Sequence, residues 1–84
     1  MPQRVFFSVE ARADLRAIDR ETAMRLLGAL ARFLATDAGS VKQLEGFDPP
    51  RYRLRVGDWR IIFRKSGAGS IEVVRIRNRR EAYR

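Results

Sequence analysis

The sequence has 84 residues and a mass of 9.7 kDa, and 45% of its residues are hydrophobic and 33% charged. This length and composition predict one small globular domain covering residues 1–84. It contains no histidine and no cysteine, and this excludes disulfide bridges, Ser-His and Cys-His nucleophile systems and ordinary zinc sites. Its 18 basic residues against 10 acidic ones give a formal charge of +8, which indicates a polyanionic partner.

The first half of the chain predicts a short strand followed by two helices. Residues 4–7 form a β-rich run. Ser8 and Asp19 are good N-caps, and each precedes apolar residues at helical spacing, so we predict a helix over residues 8–18 and a longer one after Asp19. Neither helix is long enough to be stable alone, and each must therefore bury its apolar stripe against another element.

The second half predicts a meander of three strands. An irregular stretch comes first, in which we expect Leu44 and Phe47 to anchor the chain. Alternating and β-branched patterns then predict strands over residues 52–56, 59–64 and 71–77. The order β-α-α-β-β-β predicts an α+β fold, with the two N-terminal helices packed on one face of a small antiparallel sheet.

The positive charge is concentrated in this second half. Residues 1–41 hold six basic and five acidic side chains, a net of +1, whereas residues 42–84 hold twelve basic and five acidic ones, a net of +7. All but two of the basic residues are arginines, whose planar, permanently charged group suits phosphate and can stack on bases.

No segment has the length of a membrane span or the pattern of a signal peptide, so we expect a soluble cytoplasmic protein without a membrane partner.

A hairpin turn predicts which of the arginines share a face. Gly57-Asp58 fits a two-residue loop, which places Arg55 opposite Arg60 and turns the apolar residues of both strands toward the helices. Like charges directly opposite each other destabilise a sheet. The arrangement therefore favours an anion-binding face for a nucleic-acid backbone, and the alternative is a solvated surface whose arginines extend into water.

Alternation in the last strand extends this face. We predict that Val74 and Ile76 face the helices, together with Glu72 at the exposed end of the strand. Arg75 and Arg77 then lie on the same side as the hairpin arginines.

Few acid–base groups remain near these arginines. Tyr52 is predicted on the core side, Asp58 in the turn, and Glu81 beside arginines with which it can pair. Tyr83 can stack on a base, exchange a proton or pack the tail onto the sheet, and the sequence leaves these interpretations open. One reaction fits this inventory, the attack of an RNA 2′-hydroxyl on its adjacent phosphate, because it needs no metal, cofactor or protein nucleophile.

The chain resembles the RelE/ParE toxin superfamily of bacterial type II toxin–antitoxin modules. The resemblance runs from about Val5 to Arg84 and lies in "FSVEARADLRAI", "LEGFDPPRYRLRVGDWRIIFR" and "IEVVRIRNRREAYR". It implies a RelE-like fold and a toxin that enters the ribosome and cuts mRNA there, which makes the protein a metal-independent endoribonuclease that inhibits translation. It also implies a cognate antitoxin, whose acidic, amphipathic C-terminal segment wraps the toxin.

The resemblance further implies roles for individual residues. The catalytic positions of RelE toxins fall on Arg53, Arg55, Arg60, Arg79 (or Arg80) and Tyr83. RelE toxins often have lysine at the hairpin positions, and arginine effectively never loses its proton, so Arg53 and Arg55 are charge stabilisers rather than general bases. The other arginines of the basic face and tail are expected to bind RNA, namely Arg51, Arg64, Arg75, Arg77 and Arg80.

Two other functions remain open. A ParE-like toxin would poison DNA gyrase by binding alone, and a non-catalytic RNA-binding module would use only the basic face. Arg60 together with Tyr83 favours the RelE branch.

Overall fold

A computed structural model describes residues 4–67 and 69–78. Its elements in chain order are β1 (Arg4–Phe7), α1 (Val9–Arg16), α2 (Arg20–Thr36), β2 (Ser40–Leu44), β3 (Arg51–Val56), β4 (Trp59–Lys65) and β5 (Ser70–Asn78). The strands form a sheet in the order β1-β5-β4-β3-β2, in which β1 runs parallel to β5 and the other neighbours are antiparallel. The predicted α+β fold is therefore confirmed.

Both helices begin at the predicted caps. Ser8 Oγ accepts a hydrogen bond from Ala11 N at 3.0 Å at the start of α1, and the Asp19 carboxylate accepts one from Thr22 N at 3.0 Å at the start of α2. The bond from Thr22 N stabilises the carboxylate and lowers the pKa of Asp19 below its ordinary value. Neither helix, within the described ranges, has the length and apolar content to span a bilayer.

The core lies between the helices and one face of the sheet. α1 contributes Ala11, and α2 contributes Leu26 and Leu30. The sheet contributes the alternating apolar residues of β3, β4 and β5, which are Leu54, Ile61, Phe63, Ile71, Val73 and Ile76. Fully burying a side chain of the Leu, Ile or Phe size stabilises by about 1.5–3 kcal/mol. This burial, more than helix propensity, stabilises the two helices.

The stretch after α2 is not irregular as predicted. Ser40–Leu44 pairs with β3 as the edge strand β2. Its side chains are mostly exposed and its sequence does not alternate, so pairing with the free edge of β3, rather than its own pattern, makes it a strand. Of the two residues predicted to anchor this stretch, Leu44 is half-buried, whereas Phe47 is 44% exposed and does not join the core.

β5 carries a β-bulge at Val74. Ile62 pairs with Arg75 and Phe63 pairs with Val73, which leaves Val74 without a partner on β4. The bulge shifts the alternation of side chains by one residue.

This shift decides which side chains of β5 face the helices. Val74 was predicted to face the core, but the buried valine is the residue before it in β5. Glu72 lies on the face away from the helices, which also contradicts the prediction. The predicted orientations of Ile76, Arg75 and Arg77, beyond the bulge, are confirmed.

Candidate nucleic-acid interface

Every arginine of β3, β4 and β5 lies on the sheet face that the helices leave open. The hairpin register pairs Val56 with Trp59 and Arg55 with Arg60, as predicted. Because successive side chains of a strand point to opposite faces, this register fixes the side on which each arginine lies. We call this surface the arginine face, and it consists of Arg51, Arg53, Arg55, Arg60, Arg64, Arg75 and Arg77.

The row of the arginine face nearest the hairpin turn places three arginines on adjacent strands. Arg55 pairs with Arg60, and Arg60 pairs with Arg77. Neighbouring strands are about 4.8 Å apart, so the backbone positions of this row span only about 10 Å. Like charges directly opposite each other cost up to about 1 kcal/mol. The register therefore concentrates positive charge in a way that folding alone does not favour.

The middle row includes a lysine that sequence reasoning missed. Lys42 on β2 lies opposite Arg53, which lies opposite Ile62, and Ile62 lies opposite Arg75. Arg53 Nε is buried and has no hydrogen-bond partner in the described part of the chain. A buried donor of this kind gains from an anionic acceptor, and Lys42 adds a second cation beside it. No pattern in the sequence marked Lys42, because β2 does not alternate.

The third row is partly neutralised by a carboxylate. Arg51 lies opposite Arg64, and Arg64 lies opposite Glu72. Glu72 Oε1 accepts from Arg64 Nε at 2.7 Å and lies 2.7 Å from Arg64 Nη2. The Arg64 side chain is 40% exposed, so this ion pair adds little to the stability of the fold. The Glu72 carboxylate nevertheless neutralises the charge of Arg64. Arg51 packs differently, with its guanidinium carbon 4.7 Å from the ring centroid of Phe47.

Helix α1 and its N-cap hold β5 at the bulge and just beyond it. Ser8 Oγ donates to Val74 O at 2.8 Å, and Asp14 Oδ2 accepts from Ile76 N at 2.9 Å. Asp14 also accepts from Arg75 Nε at 2.9 Å and from Arg75 Nη2 at 3.1 Å. Contacts with α1 therefore fix the bulge that orients Arg75, and the Arg75 guanidinium is paired with the Asp14 carboxylate.

Three of the residues predicted to be catalytic come together on the arginine face, namely Arg53, Arg55 and Arg60. Tyr52 lies on the helix side, where its ring stacks on Phe63 at 5.6 Å between centroids, as predicted for a structural residue. The other predicted site residues lie outside the described residues, and these are Arg79, Arg80 and Tyr83. Across residues 4–67 and 69–78, no cluster of acidic side chains could hold a metal ion.

Comparison with known proteins finds one matching family model and several similar solved structures. Residues 5–83 match the model of the ParE toxin of type II toxin–antitoxin systems, parDE. The archaeal RelE–RelB complex from Pyrococcus horikoshii is similar in structure, with a TM-score of 0.74, 22% identity, and coverage of 94% of this chain and 97% of that chain.

Two further solved structures are similar. The RelB–RelE antitoxin–toxin complex from Methanococcus jannaschii has a TM-score of 0.73 and 21% identity, and 93% of this chain and 94% of that chain are covered. The chromosomal ParDE system from P. aeruginosa has a TM-score of 0.54 and 18% identity, with 92% and 96% covered. No curated protein matches the sequence significantly.

Proposed function

This chain belongs to the ParE toxin family of type II toxin–antitoxin systems, within the RelE/ParE superfamily, and we propose that it inhibits translation by cleaving mRNA on the ribosome. The observation that carries the proposal is the position of Arg53, Arg55 and Arg60 on one open sheet face. Cations at fixed positions on such a face would position the phosphates of a nucleic acid. A toxin that acts through an apolar interface would not need these cations.

The proposed reaction is a transesterification within the RNA. The 2′-oxygen of one nucleotide attacks the adjacent phosphorus, and the bond from phosphorus to the 5′-oxygen breaks. The products are a 2′,3′-cyclic phosphate and a 5′-hydroxyl, so one proton leaves the 2′-hydroxyl and one reaches the departing oxygen. Negative charge grows on the phosphate as the new bond forms, and Arg55 and Arg60, on adjacent strands, stabilise it.

Proton transfer in this reaction needs another group. Arginine stays protonated, so Arg53 and Arg55 act by charge alone. We assign the proton transfer, or the stacking of a base, to Tyr83, and a further phosphate contact to Arg79 or Arg80. These assignments rest on the sequence of the tail.

The test is a translation reaction with and without ribosomes, in which mRNA 5′ ends are mapped. We expect new ends only when ribosomes are present. Arg60→Gln should reduce the cleavage rate more than it reduces binding, because charge stabilisation strengthens in the transition state. Arg12→Gln, on the exposed side of α1, is the matched control and should cleave normally.

Two variants of Tyr83 separate its possible roles. Tyr83→Phe keeps the ring, so a loss of cleavage of about 10²-fold with unchanged ribosome binding would assign proton transfer to the hydroxyl. Normal cleavage by Tyr83→Phe, combined with loss in Tyr83→Ala, would assign stacking. If neither change affects cleavage, Tyr83 is not part of the site.

The second candidate function is gyrase poisoning, which the match to the ParE model favours. A supercoiling assay with purified gyrase distinguishes the two toxins. Inhibited supercoiling with intact mRNA would replace the nuclease proposal by a ParE-like one. RNA binding without cleavage and without gyrase inhibition would indicate that the protein is a non-catalytic RNA-binding module.

We also propose a cognate antitoxin as partner, because the similar solved structures are toxin–antitoxin systems. Helix α2 has apolar surface that the sheet does not cover, with Met24 62% exposed and Ala31 also exposed. This surface continues into a groove of about 200 Å³ between β1 and α2, lined by Val5, Phe7, Leu27, Leu30, Ala31 and Leu34. An apolar helix of the antitoxin fits this groove, and acidic groups of the same partner suit the arginine face.

Co-expression with the protein encoded beside this gene tests the partner. It should relieve toxicity and raise the yield of soluble toxin. Met24→Gln should weaken the complex, whereas Val9→Gln, at a 77% exposed position on α1, should not. Absence of any complex, in a chain that is harmless at high expression, would refute the proposal.

A further inference from the structure

The third row of the arginine face ends beside an aromatic side chain that the proposed function does not use. Phe47 lies in the connection between β2 and β3 and is 44% exposed. Single exposed apolar residues are common in proteins and need no explanation by themselves. Phe47 differs because the guanidinium of Arg51 lies over its ring, 4.7 Å from the centroid. The attraction between the cation and the ring stabilises this packing and so holds the ring next to the arginine face.

No carboxylate of the described residues neutralises the charge of Arg51. Within residues 4–67 and 69–78 it forms no ion pair, whereas the arginine opposite it, Arg64, is occupied by Glu72. A partly exposed aromatic ring, with a guanidinium over one of its faces, therefore lies at one edge of the arginine face. Proteins that hold single-stranded nucleic acid combine these two features, a π-surface for a base and a cation for the backbone.

We propose that Phe47, held by Arg51, is a stacking platform for one base of a single-stranded RNA that crosses the arginine face. This inference rests on the proposed function, since it needs RNA on that face. Arg55 lies four residues beyond Arg51 on β3, which is about 13 Å at 3.3 Å per residue. A base on Phe47 and a phosphate at Arg55 therefore belong to different nucleotides. Phe47 accordingly acts on binding and on the preference for a flanking base, not on the chemical step.

The test is a double-mutant cycle between the protein and the RNA. The probe is a fluorescein-labelled oligoadenylate of about eight nucleotides, within the usual range of single-strand site sizes. A second set of probes carries one abasic residue at each position in turn. Binding is measured by fluorescence anisotropy at low salt for wild type, Phe47→Leu and Phe47→Tyr.

We expect Phe47→Leu to weaken binding of the intact probe by about fivefold or more, which is the lower end of the measured effect of losing one stacked base. Phe47→Tyr keeps the ring and should bind like wild type. With one of the abasic probes the difference between wild type and Phe47→Leu should disappear, because the base that stacks on the ring is then missing.

Phe6→Leu is the matched control. Phe6 is 51% exposed and lies on the same sheet face, but its neighbour on β5 is Glu72, which repels a phosphate backbone. This variant should bind the intact probe like wild type. An equal loss in Phe6→Leu and Phe47→Leu would contradict a specific platform at Phe47.

Arg55→Gln separates failure of this inference from failure of the proposed function. If Arg55→Gln weakens binding and Phe47→Leu does not, the platform is refuted while RNA binding by the arginine face stands. If wild type does not bind the probe, or Arg55→Gln leaves binding unchanged, RNA binding by the arginine face is refuted together with the platform. Circular dichroism melting of each variant shows that binding is compared between folded proteins.

Discussion

Replacing Asp14 tests how α1 fixes the bulge of β5. The Asp14 side chain is 17% exposed and accepts hydrogen bonds from Ile76 N at 2.9 Å and from two nitrogens of Arg75. Asp14→Ala removes all three acceptor contacts. Ile76 is buried, so its N–H loses its partner in a site that water reaches poorly.

The cost of Asp14→Ala follows from these contacts. An unsatisfied buried N–H costs about 1–3 kcal/mol. The ion pair adds only about 0.5–1 kcal/mol, because the Arg75 side chain is 38% exposed and solvent screens it. The higher helix propensity of alanine returns about 0.5 kcal/mol. We therefore expect a loss of about 2 kcal/mol, which lowers the Tm of a domain of this size by about 8–16 °C.

Two milder variants divide this loss between its causes. Asp14→Asn keeps an oxygen that can accept from Ile76 N and should cost about 1 kcal/mol. Arg75→Gln leaves Asp14 bound to Ile76 N and should cost about 0.5–1 kcal/mol. Urea unfolding followed by far-ultraviolet circular dichroism gives all three free energies. If Asp14→Ala is as stable as wild type, α1 does not hold the bulge and the explanation for the orientation of Arg75 is wrong.

Three further predictions use other parts of the structure. Arg55→Gln should lower the slope of log affinity for single-stranded RNA against log salt by about 0.7, whereas Arg12→Gln should leave it unchanged; equal slopes would show that Arg55 contacts no phosphate. Asp19→Ala should lower the free energy of unfolding at pH 7. Because the folded pKa of Asp19 is lowered, its contribution is complete above about pH 4 and is lost as pH falls through the folded pKa, so the difference between wild type and Asp19→Ala should shrink in acid. Gly39→Ala should destabilise by about 1–3 kcal/mol in urea unfolding, since φ is +134° and the added Cβ would lie 2.8 Å from Leu54 Cδ1.

The sequence predicts the hairpin because its signal is local. Gly57 adopts a positive φ of 60°, and the two-residue loop it permits sets the pairing of β3 with residues 59–64 of β4. The helix starts are equally local, since Ser8 and Asp19 each cap an amide three residues ahead. Pairing of Arg55 with Arg60, on which the candidate site depends, could therefore be predicted without a structure.

The bulge and β2 could not be predicted in this way because distant residues cause them. Val73 and Val74 are both valines, so either can be the buried one, and the sequence pattern does not choose. In the observed register, Val74 O and Ile76 N are hydrogen-bonded to Ser8 and Asp14, more than sixty residues earlier in the chain. β2 depends on the free edge of β3 in the same manner. Lys42 was missed as a member of the open face because it lies on β2, and Glu72 was missed because the bulge reverses its orientation.

The acidic residues around the arginine face neutralise only part of its charge. Glu72 holds Arg64, and Asp14 holds Arg75, so carboxylates occupy arginines of β4 and β5 away from the hairpin turn. In the described sheet no carboxylate stands opposite Arg55, although an opposite charge there would stabilise by about 0.2–1 kcal/mol in place of the present repulsion. Arg55 thus has no carboxylate opposite it at a position that the proposed reaction would use. A partner that binds the folded toxin stabilises it by mass action, so an acidic antitoxin would offset this repulsion while it covers the site.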